Sequence, residues 1–126
     1  GYIGSVLPPL LLGEGHSVTI LDNFLFNQPT LMDSCINPNF AIVRGDCRDK
    51  NLMSKLMKDT DYIIPLAAIV GMPACKENPE LTIQVNYEQV RNITKWITKN
   101  QMILIPNTNS QYGSSTEIIT EESSFK

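Results

Sequence analysis

Four short apolar runs rich in β-branched residues alternate along this chain with longer stretches of helical periodicity. The runs are residues 17–21, 40–43, 61–66 and 102–106, and three of them are almost continuously apolar, as in strands covered on both faces. The helical stretches are 3–12, 50–58 and 80–99; the first is apolar enough to be buried, although Pro8 and Pro9 should distort it. The polar run 114–116 is predicted to be a loop. This alternation predicts βαβ units with right-handed crossovers, and therefore an α/β fold with a parallel sheet.

The composition is that of one folded domain without a strong electrostatic footprint. The chain has 126 residues, 42% of them apolar, and a formal net charge of -3 at pH 7. This weakly acidic balance makes nucleic acid and anionic lipid unexpected partners. Three cysteines without a C-x-x-C pair and a single histidine argue against a disulfide scaffold and a zinc site. Without an apolar run of membrane-spanning length or a recognisable signal peptide, we expect a cytoplasmic protein with no metal and no membrane partner.

Gly1 and Gly4 open the first helical stretch. Glycines at this spacing let the backbone approach a pyrophosphate, while the helix N-terminus presents unpaired N–H groups and the positive end of its dipole. Glycine pairs also occur in ordinary turns, so this pair by itself is a weak signal. The residue that ends the next strand, Asp22, strengthens the pyrophosphate interpretation.

Asp22 ends the first predicted strand, 18 positions beyond Gly4. In a dinucleotide-binding fold, a carboxylate at this place accepts hydrogen bonds from the adenosine ribose hydroxyls. It would also repel a 2′-phosphate, so it favours NAD over NADP. The alternative is a turn-forming Asp-Asn pair after a strand. Together with the glycines and the βαβ pattern, Asp22 favours a cofactor site.

Weaker signals come after the later strands, at the edge where open α/β sheets bind ligands. Asp46, after Gly45, either accepts from an adenine amino group or forms a surface turn with a helix cap. The small residues 66–68 either let a cofactor lie against the backbone or pack tightly. Thr108 and Ser110 carry hydroxyls at the carboxyl end of the fourth predicted strand, close to where the reacting atoms lie in such a fold. The alternative is an ordinary loop, which is what a polar run most often forms.

Six motifs occur in order along the whole chain. They are Gly1-Tyr2-Ile3-Gly4-Ser5, Leu21-Asp22-Asn23, Gly45-Asp46-Cys47-Arg48-Asp49, Leu66-Ala67-Ala68, Val85-Asn86 and Ser110-Gln111-Tyr112-Gly113. Each motif is loose, but the set resembles the extended short-chain dehydrogenase/reductase family, specifically its NAD-dependent nucleotide-sugar epimerases and dehydratases. The resemblance implies a Rossmann-type doubly wound parallel sheet, with residues 1–126 as part of an NAD-binding domain.

The resemblance also implies a role for each matching residue. Tyr2 and Ile3, with Gly1 and Gly4, would contact the cofactor pyrophosphate. The remaining cofactor contacts would be Asp22 and Asn23 on the adenosine ribose, Asp46 and Cys47 on the adenine, Leu66, Ala67 and Ala68 on the nicotinamide side, and Asn86 on a phosphate. Thr108 falls where the family carries the catalytic Ser or Thr that hydrogen-bonds the oxidised sugar hydroxyl, although Ser110 remains an alternative.

The chain departs from the family pattern at two places. The family opens with a strand and a Gly-x-x-Gly-x-x-Gly turn, of which the strand and the first glycine are absent here. The family's catalytic Tyr-x-x-x-Lys is also absent: the residues four places after the tyrosines are Val6, Leu66, Arg91 and Thr116. We therefore expect a truncated domain, lacking its first strand and its C-terminal substrate region, that is catalytically inactive as it stands.

For the full-length protein the resemblance implies transient oxidation of a nucleotide sugar to a keto-sugar by bound NAD, followed by epimerisation or dehydration. It also implies a homodimer formed through helices of the domain. Two other functions remain open: an NAD(P)-dependent reductase or dehydrogenase of a non-sugar alcohol, and a non-catalytic dinucleotide-binding protein.

Overall fold

The computed structural model describes residues 1–113 and 118–123, so the loop predicted over 114–116 lies outside the described residues. Strands and helices alternate along the chain as the sequence predicts. The helices are α1 (Tyr2–Gly13), α2 (Lys50–Met57), α3 (Met72–Glu77), α4 (Pro79–Ile83) and α5 (Gln89–Trp96). The strands are β1 (Val18–Asp22), β2 (Phe40–Arg44), β3 (Tyr62–Ile63) and β4 (Met102–Ile103). Two short 3-10 helices, Met32–Ile36 and Asn109–Tyr112, and a π-helical turn, Gln84–Glu88, complete the described elements.

The strands pair in parallel, as predicted, but in two separate two-stranded sheets. β1 pairs with β2 in register from Val18 opposite Phe40 to Asp22 opposite Arg44. β3 pairs with β4 over only two residues each, far less than the predicted 61–66 and 102–106. Both predicted strands contain a proline near their end, and a proline has no N–H to donate to a ladder. No ladder joins the two sheets within the described residues.

Helix α1 follows its predicted span and runs without interruption through both prolines. The expectation that it is buried is wrong: Pro8 is its one buried residue, and Leu10 is 62% exposed. Each sheet is only two strands wide, so it offers too little surface to cover a 12-residue helix on more than one side. Across residues 1–113 and 118–123, no helix combines the length and the apolarity needed to span a bilayer.

Helix α2 begins at a side-chain cap. The Asp49 carboxylate accepts hydrogen bonds from the backbone N–H groups of Asn51 and Leu52, both at 3.0 Å. An aspartate at this position satisfies N–H groups that have no partner inside the helix. The apolar residues of α2 then fall on one face, and Met53 and Met57 are buried.

The predicted helix 80–99 is divided and ends early. It consists of α4, a π-helical turn over Gln84–Glu88, and α5, which ends at Trp96. Helix α3 was not predicted, because its six residues show no apolar periodicity; the available signal was Pro73 in its first turn. Asn78 begins α4 by accepting a hydrogen bond from the Leu81 N–H at 3.1 Å.

One apolar core holds both sheets together. It is formed by Met53 and Met57 of α2 and Ile93 of α5, and the residues packed against it are Leu21, Ile63, Trp96 and Ile103. These packing partners come from β1, β3, α5 and β4. The core therefore fixes the two sheets relative to each other through α2 and α5, although no ladder joins them in the described part of the chain.

Candidate cofactor site

The two N-terminal glycines lie where α1 begins, beside the segment that follows β3. Gly1 is the N-cap residue, and no side chain caps the first turn among the described residues. A methyl group added at Gly1 would have no atom within 4 Å, and one at Gly4 would meet Leu66 Cδ1 at 3.8 Å, an ordinary contact. Packing therefore does not require glycine at either position. The exposed start of α1 fits a diphosphate group, which helix N-terminal N–H groups bind.

Asp22 and Asn23 form tight turns at the end of β1. The Asp22 Oδ1 atom accepts a hydrogen bond from the Phe24 N–H at 2.7 Å, and Asn23 Oδ1 accepts one from the Leu25 N–H at 3.0 Å. The backbone oxygen of Asp22 also accepts from the Gly45 N–H at 3.0 Å, which ties the ends of β1 and β2 together. Asp22 and Asn23 therefore do form the turn that the sequence predicts as the alternative to a cofactor contact. Among the described residues Asp22 Oδ2 has no partner, so it remains an acceptor for a ligand.

Gly45 allows α2 to pack closely against β1. A Cβ at this position would clash with the Leu52 side chain and approach Leu21 Cδ1 to 3.0 Å. Unlike Gly1 and Gly4, Gly45 is therefore explained by packing. It places the following residue, Asp46, at the end of β2 and beside the end of β1.

Arg48 holds the Asp46 carboxylate. Its Nε donates to Oδ1 at 2.9 Å and its Nη2 to Oδ2 at 2.6 Å, while the Arg48 backbone N–H donates to Oδ1 at 2.8 Å. These hydrogen bonds, the side-chain ones above all, lower the pKa of Asp46 and raise that of Arg48. Asp46 is therefore ionised at neutral pH and forms a surface turn, whereas the cap of α2 is Asp49. The predicted adenine contact of Asp46 stays a prediction.

Arg48 also connects this turn to the helical segment that follows α4. Its Nη1 donates to Gln84 Oε1 at 2.8 Å, across 36 positions of sequence. A groove of about 200 Å³ lies here, lined by Arg48, Lys50, Gln84, Glu88, Gln89 and Asn92. Neither Arg48 nor Gln84 is assigned a role from the sequence, because nothing local indicates that their side chains meet.

Cys47 is a poor nucleophile. Burial, and to a smaller extent the neighbouring Asp46 charge, raises the pKa of its thiol, so the thiol stays protonated at neutral pH. Since the thiolate is the reactive form, the raised pKa favours a packing or backbone-contact role for Cys47 over a nucleophilic one.

We expect iodoacetamide at neutral pH to alkylate Cys35 faster than Cys47. Cys35 is exposed and Cys47 is partly buried with its thiolate disfavoured. Peptide mass spectrometry at successive times after mixing gives both rates in one sample, so each cysteine is the control for the other. Faster labelling of Cys47 would contradict the assigned protonation state.

The segment after β3 is held by side-chain amides of the π-helical turn and α5. Asn86 pairs with Ile69: its Oδ1 accepts from the Ile69 N–H at 2.7 Å and its Nδ2 donates to the Ile69 oxygen at 2.8 Å. Gln89 Nε2 donates to the Ala67 oxygen at 2.9 Å. Ala67 and Ala68 themselves are exposed. The Asn86 amide is thus engaged with the chain itself, and its predicted phosphate contact stays a prediction.

Thr108 and Ser110, the two candidate catalytic hydroxyls, lie together. Thr108 Oγ1 and Ser110 Oγ are 3.1 Å apart, and the Thr108 N–H donates to Asn107 Oδ1 at 2.8 Å. Both residues are exposed, with Thr108 capping the second 3-10 helix. The geometry does not choose between the two hydroxyls. An adjacent groove of about 460 Å³ is lined by Asn86, Tyr87, Val90, Arg91, Thr94, Ile105, Pro106 and Asn107.

The fold is that of a Rossmann-type α/β protein. Its strands are parallel, helices connect them, and the first helix begins with glycines close to the segment that follows a strand. The sequence matches the model of the NAD dependent epimerase/dehydratase family over residues 1–126. The chain belongs to this family, as its motifs predicted.

Curated relatives act on nucleotide sugars. UDP-N-acetyl-alpha-D-glucosaminuronate decarboxylase of Bacillus cytotoxicus is 32% identical over 123 residues, which are 97% of this chain and 38% of that protein. UDP-glucuronic acid decarboxylase 1 of Arabidopsis thaliana is 28% identical over 119 residues, or 93% of this chain and 26% of that protein. This chain thus spans between a quarter and two fifths of the length of these relatives.

Solved structures have the same fold. UDP-glucuronic acid 4-epimerase of Bacillus cereus, in complex with UDP-glucuronic acid and NAD, matches with a TM-score of 0.87 at 23% identity. The match covers 100% of this chain and 43% of that one. UDP-N-acetylglucosamine 4-epimerase of Methanobrevibacter ruminantium matches with a TM-score of 0.85 at 25% identity, over 100% of this chain and 41% of that one. The predicted α/β fold of the Rossmann type is therefore confirmed.

Proposed function

We propose that residues 1–126 form part of the NAD-binding domain of a nucleotide-sugar epimerase or dehydratase. The observation that carries the proposal is the start of α1, where Gly1 and Gly4 leave space and no side chain caps the helix. The further cofactor contacts of the proposal are Tyr2, Ile3, Asp22, Asn23, Asp46, Cys47, Leu66, Ala67, Ala68 and Asn86. Membership of an NAD-dependent family supports it.

In the proposed reaction, NAD when bound supplies the acceptor for a hydride from a sugar carbon. The Thr108 hydroxyl, or in its place the Ser110 hydroxyl 3.1 Å away, hydrogen-bonds the sugar oxygen at that carbon. Epimerisation, dehydration and loss of an adjacent carboxylate can all follow from the resulting keto-sugar. The names of the relatives include epimerases and decarboxylases, which supports a shared oxidation as the first step.

We propose that residues 1–126 alone do not turn over substrate. They contain no Tyr-x-x-x-Lys pair, which would supply the general acid and base. We propose a homodimeric, cytoplasmic protein with a nucleotide sugar as partner and without nucleic-acid binding; its net charge of -3 supports the last point.

Substituting Gly4→Ala tests the proposal. The added methyl fits the protein without a clash and replaces a helical glycine, so the protein should become more stable by about 0.5–1 kcal/mol. If a pyrophosphate lies against this backbone, the same methyl should weaken NAD binding by about tenfold, within the usual cost of overcrowding. Isothermal titration with NAD and thermal unfolding measure the two effects.

Gly13→Ala is the matched control. Gly13 lies at the other end of the same helix, and a Cβ there has no atom within 4 Å. It should change stability without changing NAD affinity. Equal NAD affinity of the Gly4→Ala variant and the unchanged protein would remove the observation on which the proposal rests.

A further inference from the structure

Gln89 is a buried polar residue in a stripe that is otherwise apolar. It is 4% exposed and lies at four-residue spacing between Val85 and Ile93, which are also buried. Core-facing helix stripes of this kind usually carry apolar side chains, because a buried amide without partners costs free energy. A glutamine at this position therefore indicates that its hydrogen bonds do something that a hydrocarbon side chain of similar size does not.

The partner of Gln89 lies on the segment that follows β3. Gln89 Nε2 donates to the backbone oxygen of Ala67 at 2.9 Å, across 22 positions of sequence. Three residues before Gln89, the Asn86 amide pairs with both the N–H and the oxygen of Ile69. Asn86 thus gives Ile69 the two hydrogen bonds that a neighbouring strand would otherwise provide.

These two amides hold a loop that the sheet does not hold. We call residues 66–69 the clasped loop; β3 has already ended at Ile63. The other side-chain bond to it within residues 1–113 and 118–123 is a long one, from Cys75 Sγ to the Ile69 oxygen at 3.5 Å. The clasped loop therefore takes its shape from Asn86 and Gln89, while its alanine side chains stay exposed.

We infer that Gln89 is a positioning residue for the nicotinamide half of the cofactor site, acting through the Ala67 oxygen and together with Asn86. This inference rests on the proposed NAD binding. A loop that is already ordered loses little conformational entropy when a ligand settles on it, so the ligand binds more tightly than to a mobile loop. Loss of the clasp should thus weaken binding of the part of NAD that lies on the clasped loop and spare the rest.

A comparison of NAD with ADP isolates this effect. ADP carries the adenine, one ribose and two phosphates, but it lacks the nicotinamide riboside. The variant Gln89→Met keeps the length of the side chain and removes the hydrogen bond to Ala67. We expect it to raise the Kd for NAD roughly fivefold, as for the loss of one buried neutral hydrogen bond, and to leave the Kd for ADP within a factor of about two.

Gln84→Met is the matched control, because it makes the same chemical change five positions earlier. The Gln84 amide contacts Arg48 and Glu80 and not the clasped loop. It should leave the ratio of the two dissociation constants unchanged. If Gln89→Met does not fold, Asn86→Asp replaces it: the aspartate keeps the acceptor for the Ile69 N–H and loses the donor to the Ile69 oxygen.

Each outcome of these titrations has one meaning. A higher ratio of the Kd for NAD to the Kd for ADP in Gln89→Met, or in Asn86→Asp in its place, supports the inference. An unchanged or lower ratio overturns the inference but leaves the proposed function intact. If Asn86→Asp weakens the binding of NAD and of ADP by the same factor, a direct contact of Asn86 with a phosphate is favoured instead. If the unsubstituted protein binds neither NAD nor ADP, the proposed function fails, and the inference fails with it.

Discussion

Replacing Ile93 by alanine is expected to lower the free energy of unfolding by about 2–5 kcal/mol, the usual cost of truncating a buried isoleucine. Ile93 is 1% exposed and is the largest fully buried side chain among the described residues. It belongs to the core that holds both sheets, so the cavity left by the substitution would lie where β1, β3 and β4 all pack. Domains of this size are stable by only about 5–15 kcal/mol, which makes the expected loss a large share.

Urea unfolding followed by circular dichroism measures this loss. Ile83→Ala is the matched control, since Ile83 lies at the end of α4, 55% exposed and outside the core. Its substitution should change the free energy of unfolding by less than about 0.5 kcal/mol. Similar losses in the two variants would contradict the assignment of Ile93 to the centre of the core.

The alternation of strands and helices was predictable because it depends on local periodicity. The span of α1 and the start of α2 follow from patterns within about ten residues, whereas the parallel pairing follows from the alternation of strands and helices along the whole chain. The lengths of β3 and β4 did not follow, because a strand lasts only as long as its neighbour provides hydrogen bonds. The exposure of α1 was not predicted for a similar reason: burial depends on what covers a helix.

The residues of the candidate site likewise fall into those that local sequence predicts and those that it does not. Gly4, Asp22 and Asp46 could be selected from the sequence, since each follows from a residue type at a strand end or helix start. The contacts of Arg48 with Gln84, of Asn86 with Ile69 and of Gln89 with Ala67 could not, because they join residues that are distant in sequence. Gln89 did carry a usable signal, as a polar residue at four-residue spacing between the apolar Val85 of the π-helical turn and Ile93 of α5.

Replacing Asp22 by asparagine is expected to weaken NAD binding by about 1.5–3 kcal/mol, or roughly 10- to 150-fold, because a charged acceptor for the ribose hydroxyls is lost. Asparagine keeps the oxygen that accepts the Phe24 N–H at 2.7 Å, so the turn after β1 should survive. The second carboxylate oxygen becomes an NH₂ donor and can no longer accept from a hydroxyl. Alanine would remove both functions at once and is the less informative change.

The charge of Asp22 also predicts a change in cofactor preference. A carboxylate repels the 2′-phosphate of NADP, so in Asp22→Asn the affinity for NADP should fall less than that for NAD, or rise. Titration of both cofactors measures this, with Asp33→Asn as the control because Asp33 is an exposed aspartate in the first 3-10 helix. Unchanged NAD affinity in Asp22→Asn would mean that Asp22 only shapes the turn. In that case the position of Asp22 beyond Gly4 would no longer support a ribose contact, and NAD binding by this chain would rest on the start of α1 alone.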